Sequence, residues 1–264
     1  MLDRIAADEV IRRATSGRTG PVLMLCGADT DAPVEVFCKL SAGCDDGVTS
    51  LAREVIAACL AADLGLPVPV PRLVDIPSEL ADIVTDTDIA ARLIASSGVG
   101  FGSSKVDNQF NVWTTGTRVT DGMQAVALAA LVFDGIIENV DRRVSNPNCL
   151  VSGDRIRLID HELAFPPSAI IIGWRPPWQT GGLAWMDQPD GHIFCKGLKK
   201  RSLDFSLLPG VWSGISDARL QEYRAAIPPE WNSALPAVDE ALDRVRNARD
   251  NIDGVIAEIE RVVQ

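Results

Sequence analysis

Residues 122–160 constrain this chain more than any other stretch. Positions 122–138 are largely apolar and read as a long helix. A polar loop, 139–148, follows. Two short apolar runs at 149–151 and 156–159 then flank the turn Ser152-Gly153-Asp154, which predicts a β-hairpin. The segment NVDRRVSNPNCLVSGDRIRLID thus places Asp141 in the loop, Asn146 five residues on, and Asp160 at the end of the hairpin. Phosphoryl transfer uses such a set. One carboxylate orients the attacking hydroxyl and takes its proton, while an amide oxygen and a second carboxylate hold Mg²⁺ against the phosphates. On this pattern Asp141 is the candidate catalytic carboxylate, and Asn146 and Asp160 are the candidate metal ligands. An Asx-rich turn between a helix and a hairpin draws on the same residues for local hydrogen bonds, so the N-terminal half has to be read independently.

Lys39 is the only lysine before Lys105, although arginines are plentiful, and it sits near the end of the β-branched and aromatic run at 34–40. A compact ammonium suits a tight phosphate site; a solvated strand end accepts Arg equally well. Glu54 lies in the apolar stretch 51–64, whose only other charges are Arg53 and Asp63. A buried carboxylate in such surroundings needs a partner, and Lys39 is the natural one; the rivals are an arginine partner or simple exposure on one edge of the helix. The turn at Ser16, Gly17, Arg18 and Thr19, just before the apolar run 21–26, offers backbone N–H groups and hydroxyls to phosphate oxygens. The same residues make an ordinary turn. Lys39, Glu54, Ser16, Gly17, Arg18 and Thr19 are therefore the candidate nucleotide-binding set. His161 beside Asp160 is assigned a positioning role, and His192, in a Gly/Asp turn, is expected to be exposed. Trp174, Trp178, Trp185, Trp212 and Trp231 are read as core packing before a substrate platform.

Around these segments, apolar residues at Leu2, Ile5, Ala6, Val10 and Ile11 predict an amphipathic helix over 2–14. Runs 21–26 and 34–40 form a hairpin, 70–76 is a strand, and 77–97 is helical. Residues 98–116, rich in Gly, Ser, Thr and Asn, form a candidate lobe junction. Residues 164–192 are irregular, and a charged amphipathic helix over 237–263 closes the chain. The order predicts an α+β, two-lobed fold: a β-containing N-lobe over 1–115 and a mainly helical C-lobe over 116–264.

A net charge of −11 disfavours direct nucleic-acid binding, which needs clustered cations. Six scattered cysteines without a CxxC pair read as buried thiols of a reducing cytosol, and two histidines leave little for a zinc site. The charged N-terminus has no apolar leader core, and no apolar run reaches membrane-spanning length. A cytoplasmic protein with no membrane contact is expected.

Four segments taken together, VFCKL, LAREVIAACLAADLGLPVP, VFDGIIENVDRRVSNPN and LIDHELAF, resemble the HipA-like kinase domain in order and spacing, over about residues 16–235. DRRVSN and LIDHE are also similar to the D-R-H-x-x-N and I-D-F-G segments of phosphatidylinositol 3/4-kinases. The resemblance implies one kinase domain of protein-kinase-like fold that uses ATP and Mg²⁺ to phosphorylate Ser/Thr of protein targets, often as the toxin of a toxin–antitoxin pair. A cognate antitoxin or regulator is then an expected partner. By position it makes Asp141 the catalytic aspartate, gives Mg²⁺ to Asn146 and Asp160, and sets Lys39 on the nucleotide phosphates, with Glu54 as its helix partner. Arg143 stands where the related pattern has His, and His161-Glu162 replaces Phe-Gly. The chain is shorter than full-length HipA toxins and is expected to lack their additional N-terminal subdomain. Two other classes fit the same residues: a small-molecule kinase of the aminoglycoside-phosphotransferase type, and a kinase-shaped interaction module without activity.

Overall fold

Short apolar runs that alternate with turns can satisfy their backbone groups by pairing side by side. In the computed structural model, which describes residues 2–15, 17–30, 32–167 and 174–264, they do so by closing a barrel. Its strands are β1 (Asp3–Arg13), β2 (Val22–Cys26), β3 (Val34–Lys39), β4 (Pro71–Asp75) and β5 (Val99–Ser104), in the order β1-β2-β3-β5-β4. All neighbours are antiparallel except β4 and β1, whose parallel pairing closes the ring. The expected hairpin of β2 and β3 forms.

Residues 2–14, expected to be helical, are instead strand β1. The apolar spacing misled because β1 shifts register against β2 between Ala7 and Glu9 and again between Val10 and Arg12. Each irregularity breaks the two-residue alternation that marks a strand. Pairing with β2 on one side and β4 on the other then outweighs the local helical pattern. The Gly/Ser-rich stretch read as a junction also begins with a strand, β5. A Cβ on Gly100 would sit 2.4 Å from Cys38 Sγ, and one on Gly102 would sit 2.6 Å from Val74 Cγ2. The glycines let β5 lie close to its neighbours; they do not loosen it.

Inside the barrel Ala7, Val22, Met24, Cys26, Val36, Cys38 and Val74 share a core with Leu80, Ile89 and Leu93. The last three come from α2 (Leu80–Ile83) and α3 (Thr87–Ala95). Asp86 caps α3 by accepting the N–H groups of Asp88 and Ile89. Helix α1 (Val48–Asp63) buries nearly all its faces and stops before Gly65, whose φ of +71° suits glycine.

Packing divides the chain into two compact units. The first comprises Met1–Ile56, Pro69–Asp107 and Glu222–Val238 and contains the barrel. The second comprises Ala57–Val68, Asn108–Gln221 and Asp239–Gln264. It holds helix α4 (Gln124–Ile137) and the antiparallel sheet of β6 (Asn111–Val112), β7 (Cys149–Ser152) and β8 (Arg155–Leu158). The hairpin expected after the polar loop is β7–β8. Helix α4 packs on α5 (Cys195–Leu198) and on α9 (Ile252–Val263), which also meets α6 (Leu208–Ser213). Helices α7 (Asp217–Ala225) and α8 (Leu235–Asp250) precede α9. The single closing helix expected over 237–263 is thus two, α8 and α9. Asn251 leaves helical geometry between them, which lets α9 turn Ile252, Val255 and Ile259 into the core. The chain mixes sheets and helices, as its pattern led us to expect. No helix among the described residues is long and apolar enough to cross a membrane.

Candidate active site

Helix α4 cannot continue past Ile137, because Glu138 takes a left-handed conformation with φ +53° and returns its N–H to the Asp134 carbonyl. The polar loop that follows folds on itself. Arg143 N–H donates to the Asn146 carbonyl (3.1 Å), and Asn146 N–H donates back to the Arg143 carbonyl (3.0 Å). This turn brings the Asn146 amide to Asp141, with Nδ2 donating to Oδ2 at 2.7 Å. Asn148 Nδ2 donates to the same oxygen at 3.1 Å. Asp141 is mostly buried, and its other oxygen, Oδ1, lies 3.8 Å from Arg143 Nε. With Nδ2 engaged, Asn146 is left with Oδ1 as an acceptor that could ligate a cation. An amide oxygen and a carboxylate are the donor types that Mg²⁺ accepts. The outer edge of the loop is tied down where Ser145 donates through N–H (2.7 Å) and Oγ (2.6 Å) to Asp190.

Asp160 follows β8 with φ +61°, and Ile159 N–H holds the residue before it by donating to the Asn148 carbonyl at 3.1 Å. Non-glycine residues at positive φ are uncommon and collect where function over-determines the backbone. Four of the five among the described residues, Glu138, Asn148, Asp160 and Phe165, fall within 138–165, which marks this segment out from the rest of the chain. His161 and Glu162 are buried, and the His161 ring stands edge-on to Phe133 of α4 at 5.8 Å.

Beneath the loop lies a buried polar cluster that sequence reasoning missed. Asp134, Asn139, Arg142 and His192 are all shielded from solvent. Asp134 Oδ1 accepts from Asn139 Nδ2 at 3.0 Å. Its Oδ2 accepts from Arg142 Nε at 2.7 Å and from His192 Nε2 at 2.8 Å. His192, expected to be exposed, is a core residue, because Asp134 lies where its ring can reach. The sequence did carry a signal: Asp134 is the only charge in α4, and a carboxylate there needs a buried cation.

Hydrogen bonds set the His192 tautomer. Nε2–H faces the Asp134 carboxylate, and Nδ1 accepts the Phe194 N–H at 3.3 Å, so the ring is neutral and a second proton would have to replace that bond. Burial pushes the His192 pKa below its usual 6.5, against the pull of Asp134. Burial alone would raise the Asp134 carboxyl, but Arg142 and His192 outweigh it and hold the carboxyl well below the ordinary carboxylate range. The unfolded chain therefore binds a proton at position 192 that the folded chain refuses. The stabilisation is complete above about pH 6.5 and is lost as pH falls from there toward the lower folded value. Asp134 adds a loss only below its ordinary 3.8. Urea midpoints should fall from pH 7.5 to 5, and His192→Gln, whose amide can replace Nε2–H, should lose less per pH unit below 6.5. Parallel curves for the two proteins would assign the acid sensitivity elsewhere.

In the barrel unit, Lys39 ends β3 on the face opposite Val36 and Cys38. Both Lys39 (8% exposed) and Glu54 of α1 (2%) are buried. The ion pair expected between them forms. Of the candidate phosphate turn, Ser16 lies outside the described residues. Gly17 has φ +103° and its carbonyl accepts the Gly20 N–H at 3.1 Å. Arg18 is exposed and pairs with Asp45, whereas Thr19 is buried. Arg92 of α3 holds this turn by donating to the Thr19 and Gly20 carbonyls. Nothing in the sequence pointed to Arg92. The tryptophans divide as well: Trp212 and Trp231 are core, while Trp174, Trp178 and Trp185 are half-buried.

A loop that binds an aspartate to an asparagine, ahead of a hairpin that ends in a second aspartate, belongs with kinase-type phosphotransferases, which pair a strand lysine with a helix glutamate. A family model described as HipA-like kinase matches residues 7–172, more than half of the 264 residues, and the chain belongs to that family. All four segments that carry the resemblance lie inside the match. A search of curated proteins finds no match.

Proposed function

We propose that this chain is a two-lobed kinase that transfers the γ-phosphoryl group of Mg²⁺·ATP to a Ser or Thr hydroxyl of a protein. Asp141 orients the acceptor hydroxyl and takes its proton. Asn146 Oδ1 and the Asp160 carboxylate hold the metal, and Lys39, kept in place by Glu54, meets the nucleotide phosphates. Gly17, Arg18 and Thr19 form the loop beside them. Bound Mg²⁺·ATP supplies the phosphoryl group and offsets the charge that spreads over it during transfer. The observation that carries this reading is the Asn146–Asp141 hydrogen bond at 2.7 Å, in a chain of the HipA-like kinase family. It turns the amide oxygen away from the carboxylate, so Asn146 Oδ1 is left for metal and Asp141 Oδ1, 3.8 Å from Arg143 Nε, for a proton. A cytoplasmic location and a cognate antitoxin or regulator as partner go with this proposal.

Purified protein incubated with γ-labelled ATP and Mg²⁺ should place label on itself or on proteins of a lysate, and EDTA should abolish transfer. Label that appears only on small molecules of a cell extract would move the assignment to a small-molecule kinase. Absence of both transfer and nucleotide binding would leave an inactive interaction module.

A further inference from the structure

Arg142 is a fully buried charge whose place in the molecule is not explained by stability alone. A buried ion pair gives little net stabilisation over apolar residues of the same size, because both partners must leave water. What Arg142 adds is directional. Nε engages Asp134, and Nη1 donates to the carbonyl of Asn148 and, at 3.0 Å, to that of Ile159. The Asn148 carbonyl also receives the Ile159 N–H at 3.1 Å. One guanidinium nitrogen thus joins two peptides from separate parts of the sequence. The first belongs to Asn148, whose side chain donates to Asp141 at 3.1 Å and whose backbone is held at φ +44°. The second immediately precedes Asp160, at φ +61°. The anchor at the other end is itself fixed, since Asn139 and His192 hold Asp134.

We infer that Arg142 is a positioning residue for the metal site: it sets the register between the loop bearing Asp141 and Asn146 and the turn bearing Asp160. The inference rests on the phosphotransferase reading and adds to it the group that aligns its two metal ligands. A lysine could keep the charge opposite Asp134, but a single ammonium lacks the planar fork that addresses Asp134 and the two carbonyls from fixed directions. Groups that orient metal ligands from behind typically change metal affinity by about 10- to 100-fold when altered.

The test is the Mg²⁺ concentration that half-saturates binding of the β,γ-imido analogue of ATP, followed by calorimetry, for the parent and Arg142→Lys. The midpoint should rise about tenfold or more in the variant, while analogue binding without metal stays unchanged. Mn²⁺ should restore more of the loss than extra Mg²⁺, because Mg²⁺ demands near-ideal geometry. A folded Arg142→Lys protein with the parent's Mg²⁺ midpoint overturns the inference alone. A parent that binds no analogue with Mg²⁺ overturns the phosphotransferase reading, and this inference with it. If Arg142→Lys does not fold, Asp134→Asn keeps Arg142 but weakens its anchor and should shift the midpoint the same way by less. An unchanged midpoint there is equally fatal.

Discussion

Asp141→Asn should lower phosphotransfer by about a thousandfold while leaving the fold and nucleotide binding in place. A positioned general base contributes roughly 10²- to 10⁴-fold, and on the proposed assignment the substitution removes that base with little other change. Asp141 Oδ2 accepts from Asn146 at 2.7 Å and from Asn148 at 3.1 Å. An asparagine can turn its own oxygen to the same two donors, so the loop keeps its shape. Its NH₂ then lies where Oδ1 stood, on the side of Arg143, and offers no lone pair to an incoming hydroxyl. Initial rates of label transfer from γ-labelled ATP, beside thermal melting and analogue binding, separate the two effects. A variant retaining more than a tenth of the parent's rate would take Asp141 out of proton transfer. A variant that melts early would show that the loop depends on the charge itself.

The largest stability effect is expected from Asp134→Leu. Leucine shares the branch at Cγ and is larger, so the change leaves no void; it leaves the Arg142 guanidinium buried without its counter-charge and His192 Nε2–H without its acceptor. Removing one partner of a buried pair costs about 3–5 kcal/mol, or a fall in melting temperature on the order of 10 °C for a chain of this size. The double variant Asp134→Leu with Arg142→Met should recover part of that loss, since the stranded charge is gone; its coupling energy follows from a double-mutant cycle. If the single variant melts within 2 °C of the parent, about the effect of 1 kcal/mol, the cluster is not a structural element of the loop.

The two substitutions act at different levels, and the sequence revealed those levels unequally. Asp141 and Asn146 were legible because five residues of backbone confine them to one turn whatever the rest of the chain does. Lys39 and Glu54 were legible because a lone lysine and a lone glutamate in apolar runs each need a partner. The cluster below the loop was harder. Asp134 was visible as the single charge of α4, but one of its partners, His192, lies 58 residues away in a segment that reads as an exposed turn. Arg92 gave no signal at all, since its bonds run to backbone carbonyls 72 and 73 residues distant, and carbonyls have no sequence signature. Residues 2–14 were misread for a related reason. Two register shifts in β1 produce an apolar spacing that a helix shares, and only β2 and β4, with which it pairs, decide between them.

Taken by itself, the sequence determined what covalent spacing and local pattern can determine: the order of most elements, the family, and a set of candidate residues for phosphoryl chemistry. Tertiary structure alone decided which of the polar groups are buried, what holds them, and that β1 closes a barrel. The physical reason is the same in each case. Local spacing limits which neighbours a side chain can meet within a turn, but burial and the partner of a buried charge depend on chain segments brought together only by folding.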